Sequence, residues 1–309
     1  MARAEKAGSG RAGARSSESA PPQRYTARLL ISCADRPGIV AAVSGFLFAR
    51  GANIVSSHQY SSDPMGGRFF LRTEFFLDAS DPSAGTRESL RESFAAEVAR
   101  RFHMEWEIRW WDERRRIAIL VSRHDHCLLE LLWRWRRAEL DADIVMVISN
   151  HRDLQAETEA AGVPYHHVPV RKDTKPHAEA AMLTLLQGSA ELLVLARYMQ
   201  ILSGDFLDRV SMPAINIHHS FLPAFAGAHP YAQAREHGVK LIGATSHYVT
   251  EQLDAGPIIE QDVVRVGHQH NVSDLERLGR DVERLVLARA VSLHLDDRVI
   301  VDGRRTIVF

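Results

Sequence analysis

Asn216, His218, His247 and Asp254 fall in one stretch of a 309-residue chain. Together these side chains could work on a carbonyl. An amide N–H can stabilise a developing oxyanion, an imidazole can move a proton, and a carboxylate can hold or activate water. Asn216 and His218 are two residues apart at the end of the apolar run "PAINIH". If that run is a strand, both leave on one face while Ile215 and Ile217 take the other. His219 is out of phase with them and is expected to anchor the loop that Pro223 stiffens. Downstream, "GVKLIGATSHYVTEQLDAGPII" reads as strand, loop and return strand, with Thr245, His247 and Asp254 on the loop. Apolar Leu253 and Ile258 are expected to raise the pKa of Asp254, and His247 to orient it. Each residue alone has a plainer explanation: a strand-end histidine is usually just hydrogen-bonded, and an Asp before Ala-Gly-Pro usually forms a turn. The joint arrangement makes a site of them.

Positioning these groups requires a sheet. "IAILVS", from Ile117, is a continuous apolar run of the kind buried on both faces of a parallel sheet. Strands "DIVMVIS", "YHHVPV", "ELLVLA" and "PAINIH" follow, separated by helical stretches near 125–138, 152–161, 175–188 and 203–210. That alternation predicts an α/β fold with a mostly parallel sheet, and ligands of such sheets gather beyond the carboxyl ends of the strands. The preceding region, 25–112, reads βαββαβ: "RLLISCA", a helix after "DRPG", "VSSHQYSSD", "RFFLRTEFFLD", a helix over "TRESLRESFAAEVARRF", and "MEWEIRWW". The charged stretch Asp112–Arg116 divides the two. Residues 1–24, rich in Ala, Gly, Ser and Arg, cannot bury enough apolar surface to offset ordering entropy and predict a disordered tail.

Composition narrows the function classes. Apolar residues make up 45% of the chain and the formal charge is −1, which suits two packed domains and argues against a nucleic-acid partner. No apolar run approaches a membrane span. Two distant cysteines, Cys33 and Cys127, supply no disulfide framework and fit the cytoplasm.

The steps Asp35-Arg36-Pro37-Gly38 and Gly51-Ala52-Asn53-Ile54 resemble those of an ACT domain, which has a ferredoxin-like fold. From Ile117 to Phe309 the chain resembles the folate-dependent formyltransferase superfamily, of Rossmann-like fold. The marks are Asn-Ile-His, a Ser-Phe-Leu-Pro loop, and "TSHYV" running to "LDAGPII". The join of the two, with "HHSFLPAFAGAHPYAQA" and "GRDVERLVLARAV", resembles the formyltetrahydrofolate deformylase family. That resemblance implies hydrolysis of 10-formyltetrahydrofolate to tetrahydrofolate and formate, within one-carbon metabolism. Asn216 would be oxyanion donor, His218 proton shuttle, and Asp254 the group positioning or activating water. It also implies folate binding at "LARYMQILS" through Arg197, Met199 and Leu202, partly by backbone groups. Further implications are homo-oligomers and an amino-acid effector on the ACT module. The folate is substrate, so no cofactor is expected.

Transfer to an amine such as glycinamide ribonucleotide is the alternative. Relatives that do this hold the phosphate with a glycine-rich loop after the first strand; here that loop is "VSRHDHCLLELL", with Arg123 as a conceivable substitute charge. A metal hydrolase is suggested by 16 histidines, notably His124 with His126 and His268 with His270. No HExxH or carboxylate cluster accompanies them, and no metal is expected. His124 and His126 are read instead as closing the acceptor end. A non-catalytic amino-acid sensor would not need Asn216, His218 and Asp254 together.

Overall fold

The structure, a computed structural model, describes residues 26–78, 86–223 and 230–309. The expected disordered tail lies outside them, as do Tyr25 and residues 224–229 of the resemblance-bearing loop.

The amino-terminal module is built from β1 (Thr26–Ala34), α1 (Ile39–Phe48), β2 (Asn53–Ser61), β3 (Arg68–Phe76), α2 (Arg87–Phe94), α3 (Arg100–Phe102) and β4 (Glu105–Trp110). Its antiparallel sheet runs β2-β3-β1-β4. A π-helical turn at Ala95–Ala99 joins α2 to α3 and interrupts the single helix expected over 86–102. Val43, Phe46 and Leu47 of α1 and Phe94, Val98 and Phe102 of the second helical segment meet Leu29, Ile31 and Leu71 of the sheet in one core.

The second module contains β5 (Arg115–Val121), α4 (His126–Arg136), β6 (Ala142–Ser149), α5 (Gln155–Ala160), β7 (Tyr165–His167), α6 (Lys175–Leu186), β8 (Leu192–Ala196), α7 (Gly204–Val210), β9 (Ala214–His218) and α8 (Pro230–Glu236). It continues with β10 (Leu241–Tyr248), β11 (Ile258–Arg265), α9 (Val272–Leu295) and a hairpin, β12 (Val299–Asp302) and β13 (Arg305–Val308). The large sheet has the order β11-β10-β9-β8-β5-β6-β7. β7, β6, β5, β8 and β9 are mutually parallel; β10 runs antiparallel to β9, and β11 antiparallel to β10. β5 shows why the run from Ile117 is unbroken: Ile117, Ile119 and Val121 enter one core with α4 and α9, and Ala118 and Leu120 enter the other with α6 and α7. The chain builds outward from β5 through β6 and β7, then returns to place β8 on β5's other side. Loops therefore diverge between β5 and β8, which opens a crevice at their carboxyl ends.

The modules meet through charge. Arg28 of β1 and Arg115 of β5 converge on Asp297, just past α9, and Arg109 of β4 lies 3.4 Å from it. Arg72 of β3 donates to the carbonyls of Asp296 and Asp297. The Asp296 carbonyl, at the C-cap of α9, is among those a helix end leaves without an intrahelical partner.

Candidate active site

A cavity of about 330 Å³ opens at the carboxyl ends of β8 and β9. Asn216, His218, His247 and Asp254 line it, as do Arg197, Met199 and Leu202, so the seven residues singled out from the sequence share one cleft. Its volume lies at the lower end of the usual range for small-molecule sites, about 300–1,000 Å³. A larger cleft of about 630 Å³, lined by Gln187, Glu191, Arg209 and Pro213, lies at the opposite ends of β8 and β9 and contains no imidazole.

Strand register brings the polar groups together. Asn216 of β9 stands opposite His247 of β10, and His218 stands opposite Thr245. Thr245 and His247 are therefore buried strand residues, which corrects their expected place on a loop. The antiparallel return of β10 turns its polar side chains onto groups of β9 and the following loop. Asn216 Nδ2 lies 3.3 Å from His247 Nε2, while His247 Nδ1 lies 2.9 Å from the Tyr248 carbonyl oxygen. A carbonyl only accepts, so Nδ1 carries a proton, and neutral His247 then presents its Nε2 lone pair to the Asn216 amide. That uses one N–H of Asn216 and leaves the second.

Asp254 sits on the turn between β10 and β11, at φ 53°. Its Oδ1 is 3.3 Å from His218 Nδ1 and 3.7 Å from His247 Nε2. The hydrogen bond from His218, with the His247 imidazole close by, holds its carboxyl well below the usual carboxylate range against the opposing effect of burial. The expected upward shift is thus reversed. Leu253 is 61% exposed and gives no apolar wall, and two imidazoles face the carboxylate instead. His218 is buried, and its Nε2 has no hydrogen-bond partner among the described residues.

His219 also lines the cleft, with its ring centroid 5.0 Å from that of His218 and 6.2 Å from that of Tyr231. Burial, then the nearby Arg197 guanidinium, push its pKa down to about 4, so it is neutral near pH 7. The loop it was expected to anchor is held by Thr245, whose Oγ1 accepts from Leu222 N and Gln261 Nε2 and donates to Ser220 O.

The segment from Arg197 to Ser203 forms the other wall. Met199 is 52% exposed and Leu202 half-buried, an accessible apolar surface for a flat ring. Met199 N donates to Ser122 Oγ, which in turn donates to Asn150 Oδ1. Ser203 donates through N and Oγ to Glu179, a buried carboxylate on α6. The Arg197 guanidinium is turned toward Glu283, with Nε 3.2 Å from Oε2.

Ser122, Glu179, Tyr231, Gln261 and Glu283 were not foreseen. Glu283 alone had a readable cue, because it falls on the α9 face of Leu275, Gly279, Val282 and Val286, where a solvated glutamate does not belong. His126, Cys127 and Glu283 bring metal-ligating atom types within 4.8 Å of one another, but the Arg197 guanidinium already supplies a cation to that carboxylate. His268 and His270 do not join them: Arg235 donates to the His268 carbonyl, and His270 Nδ1 bonds Gly267.

Two family models match: Formyl transferase over residues 115–291 and ACT domain over 27–82. Formyltetrahydrofolate deformylase from Mycobacterium tuberculosis is 56% identical over 282 residues, covering 91% of this chain and 90% of that protein. The Bacillus subtilis protein of the same name is 54% identical over 286 residues, covering 91% and 93%. The crystal structure of a formyltetrahydrofolate deformylase from Pseudomonas syringae pv. tomato aligns with a TM-score of 0.87 at 49% identity, over 92% of this chain and 94% of that one. Glycinamide ribonucleotide transformylase 1 from Symbiobacterium toebii aligns at 32% identity and a TM-score of 0.60, over 65% of this chain and 96% of its own.

Proposed function

This chain belongs to the formyltetrahydrofolate deformylase family, and we propose that Asn216, His218 and Asp254 carry its reaction, the hydrolysis of 10-formyltetrahydrofolate to tetrahydrofolate and formate. The observation behind this reading is the meeting of one carboxylate with two imidazoles and an amide on a single cleft. A formamide nitrogen leaves poorly, so water must be activated, the oxyanion stabilised, and a proton delivered to N10.

Asp254, an acceptor only, keeps the proton of neutral His218 on Nδ1, so Nε2 is free to take a proton from water. Water adds to the formyl carbon, and the carbonyl electron pair moves to oxygen. The second N–H of Asn216 stabilises that oxygen, worth about 3–4 kcal/mol by comparison with other oxyanion donors. The imidazolium, stabilised by Asp254, returns its proton to N10 as the C–N10 bond breaks, giving formic acid, which ionises to formate. Asp254 also positions the water, and its low pKa keeps it a carboxylate throughout. His247 supports Asn216 and Asp254. Arg197, through its backbone, with Met199 and Leu202 holds the pteridine.

The reaction written this way uses no metal or cofactor. A phosphate-bearing amine acceptor is disfavoured where α4 opens on Asp125, since an anionic side chain repels phosphate at a helix start. We place the amino-terminal domain at residues 25–112 and the catalytic one at 117–309. The ACT match supports a role for the first in pairing subunits and binding an amino-acid effector. No helix among the described residues is long and apolar enough to cross a membrane. Both cysteines are buried and unpaired, in keeping with a cytoplasmic setting.

The test is incubation with 10-formyltetrahydrofolate alone. Equimolar tetrahydrofolate and formate, undiminished by a chelator, are expected. Turnover that needs glycinamide ribonucleotide would establish transfer instead, and loss with the chelator would establish a metal.

A further inference from the structure

Glu283 is not part of the cleft wall, yet it grips three segments that leave the sheet from different strands. Its carboxylate is 1% exposed. Oε2 accepts from His126 Nε2 at 2.9 Å, at the start of α4 after β5, and lies 3.2 Å from Arg197 Nε, in the segment after β8. Oε1 accepts from the Tyr231 hydroxyl at 2.6 Å, on α8 after β9. One turn earlier on α9, Gly279 makes room for that ring: a Cβ there would stand 1.9 Å from the Tyr231 hydroxyl oxygen. A carboxylate buried this far is costly unless its partners stay in place, so its presence constrains their positions.

The partner that matters for the reaction is Arg197. It has a φ of 62°, a left-handed backbone that costs free energy for a residue with a Cβ and persists only when its surroundings hold it. Directly after it come Met199, Ile201 and Leu202, the apolar wall of the cleft. The middle and far end of this segment are tied by Ser122 and Glu179. Its near end is tied, through the guanidinium, to α9.

We propose that Glu283 is a positioning residue: by pinning Arg197 it fixes the shape of residues 197–202, and it thereby governs folate binding more than the chemical step. The inference rests on the deformylase reading above.

The test compares the full-length wild type with Glu283→Gln, Arg197→Met and the double variant, measuring tetrahydrofolate release over a range of 10-formyltetrahydrofolate. E283Q keeps shape and can still accept from Tyr231, but it removes the charge that holds Arg197. KM is expected to rise about tenfold while kcat stays within about threefold, the split expected when binding rather than the barrier is affected. In the double variant neither charge remains buried without its partner, so its KM is expected to be no higher than that of E283Q. An unchanged KM in E283Q, a loss confined to kcat, or additive KM effects would overturn the proposal. If E283Q does not fold, Tyr231→Phe removes one bond to the same carboxylate and keeps the ring. A KM raised about threefold then supports the proposal, and an unchanged one overturns it. A wild type that releases no formate defeats the deformylase reading; an active wild type with an indifferent E283Q defeats only this inference.

Discussion

Asp254 faces His218 and His247 across 3.3 and 3.7 Å, and those partners decide what its carboxyl can do. Because hydrogen bonding holds its pKa below the ordinary carboxylate range, the group is ionised at and well below neutral pH. The rate is therefore expected to show no inflection from Asp254 near pH 4. Asp254→Asn keeps the shape but removes the charge that fixes the His218 tautomer and stabilises its imidazolium. A fall in kcat of about 10⁴-fold is expected, the size seen when such a charge is lost elsewhere, and near-normal turnover would refute the role. Glu283 gives a stability counterpart. Burial pushes its pKa up, but the His126 hydrogen bond and the Arg197 charge outweigh this and hold it at about 2, against an ordinary 4.5. A depressed pKa stabilises the fold fully above pH 4.5, and that contribution is lost as pH falls toward 2. The shift corresponds to stability on the order of 3 kcal/mol. Urea unfolding from pH 7 to 3 is expected to show a shallower acid loss in E283Q than in wild type; parallel curves would contradict it.

Elements explain why some of the site could be read in advance. Asn216 and His218 were legible because alternation along β9 fixes which side chains share a face, and that property is local. His247 and Asp254 were legible as members of the site, but the bond between His247 and Asn216 was not, because the register of β10 against β9 joins residues 31 apart. The turn after β10 shows how tightly the elements set the site. A Cβ on Gly256 would lie 1.7 Å from the Tyr248 carbonyl oxygen and 3.3 Å from His247 Nδ1. Gly256→Ala must therefore move the turn that carries Asp254. Two effects are expected: about 1–3 kcal/mol of lost stability from overpacking, and about 100-fold lower kcat from displacing a reacting group by an ångström or so. Denaturant titration and steady-state rates on the same preparation would check both, and wild-type kcat would show that the turn is slack.

Across the whole molecule, the amino-terminal sheet is fastened to the same helix that carries Glu283. The two-domain order was legible from composition and periodicity. The fastening was not, since Arg28, Arg72, Arg109 and Arg115 look like ordinary surface charges until Asp297 gathers them. Asp297 is 4% exposed, so these contacts are shielded from the solvent screening that makes surface ion pairs weak. A path of contacts also leads from here to the site. His294, in the last turn of α9, lies 2.7 Å by Nδ1 from the Tyr248 hydroxyl, and the Tyr248 carbonyl receives His247 Nδ1. Asp297 has a φ of 53°, a conformation asparagine tolerates as well, so Asp297→Asn removes the charge without backbone strain. Because it leaves buried guanidinium groups short of their counterion, it is expected to cost about 3–5 kcal/mol. The loss falls on the junction and not on either core, so calorimetry is expected to show the amino-terminal domain melting first in the variant, before a second transition from the catalytic domain. A single transition at the wild-type temperature would mean that the two modules are held together by something other than this cluster.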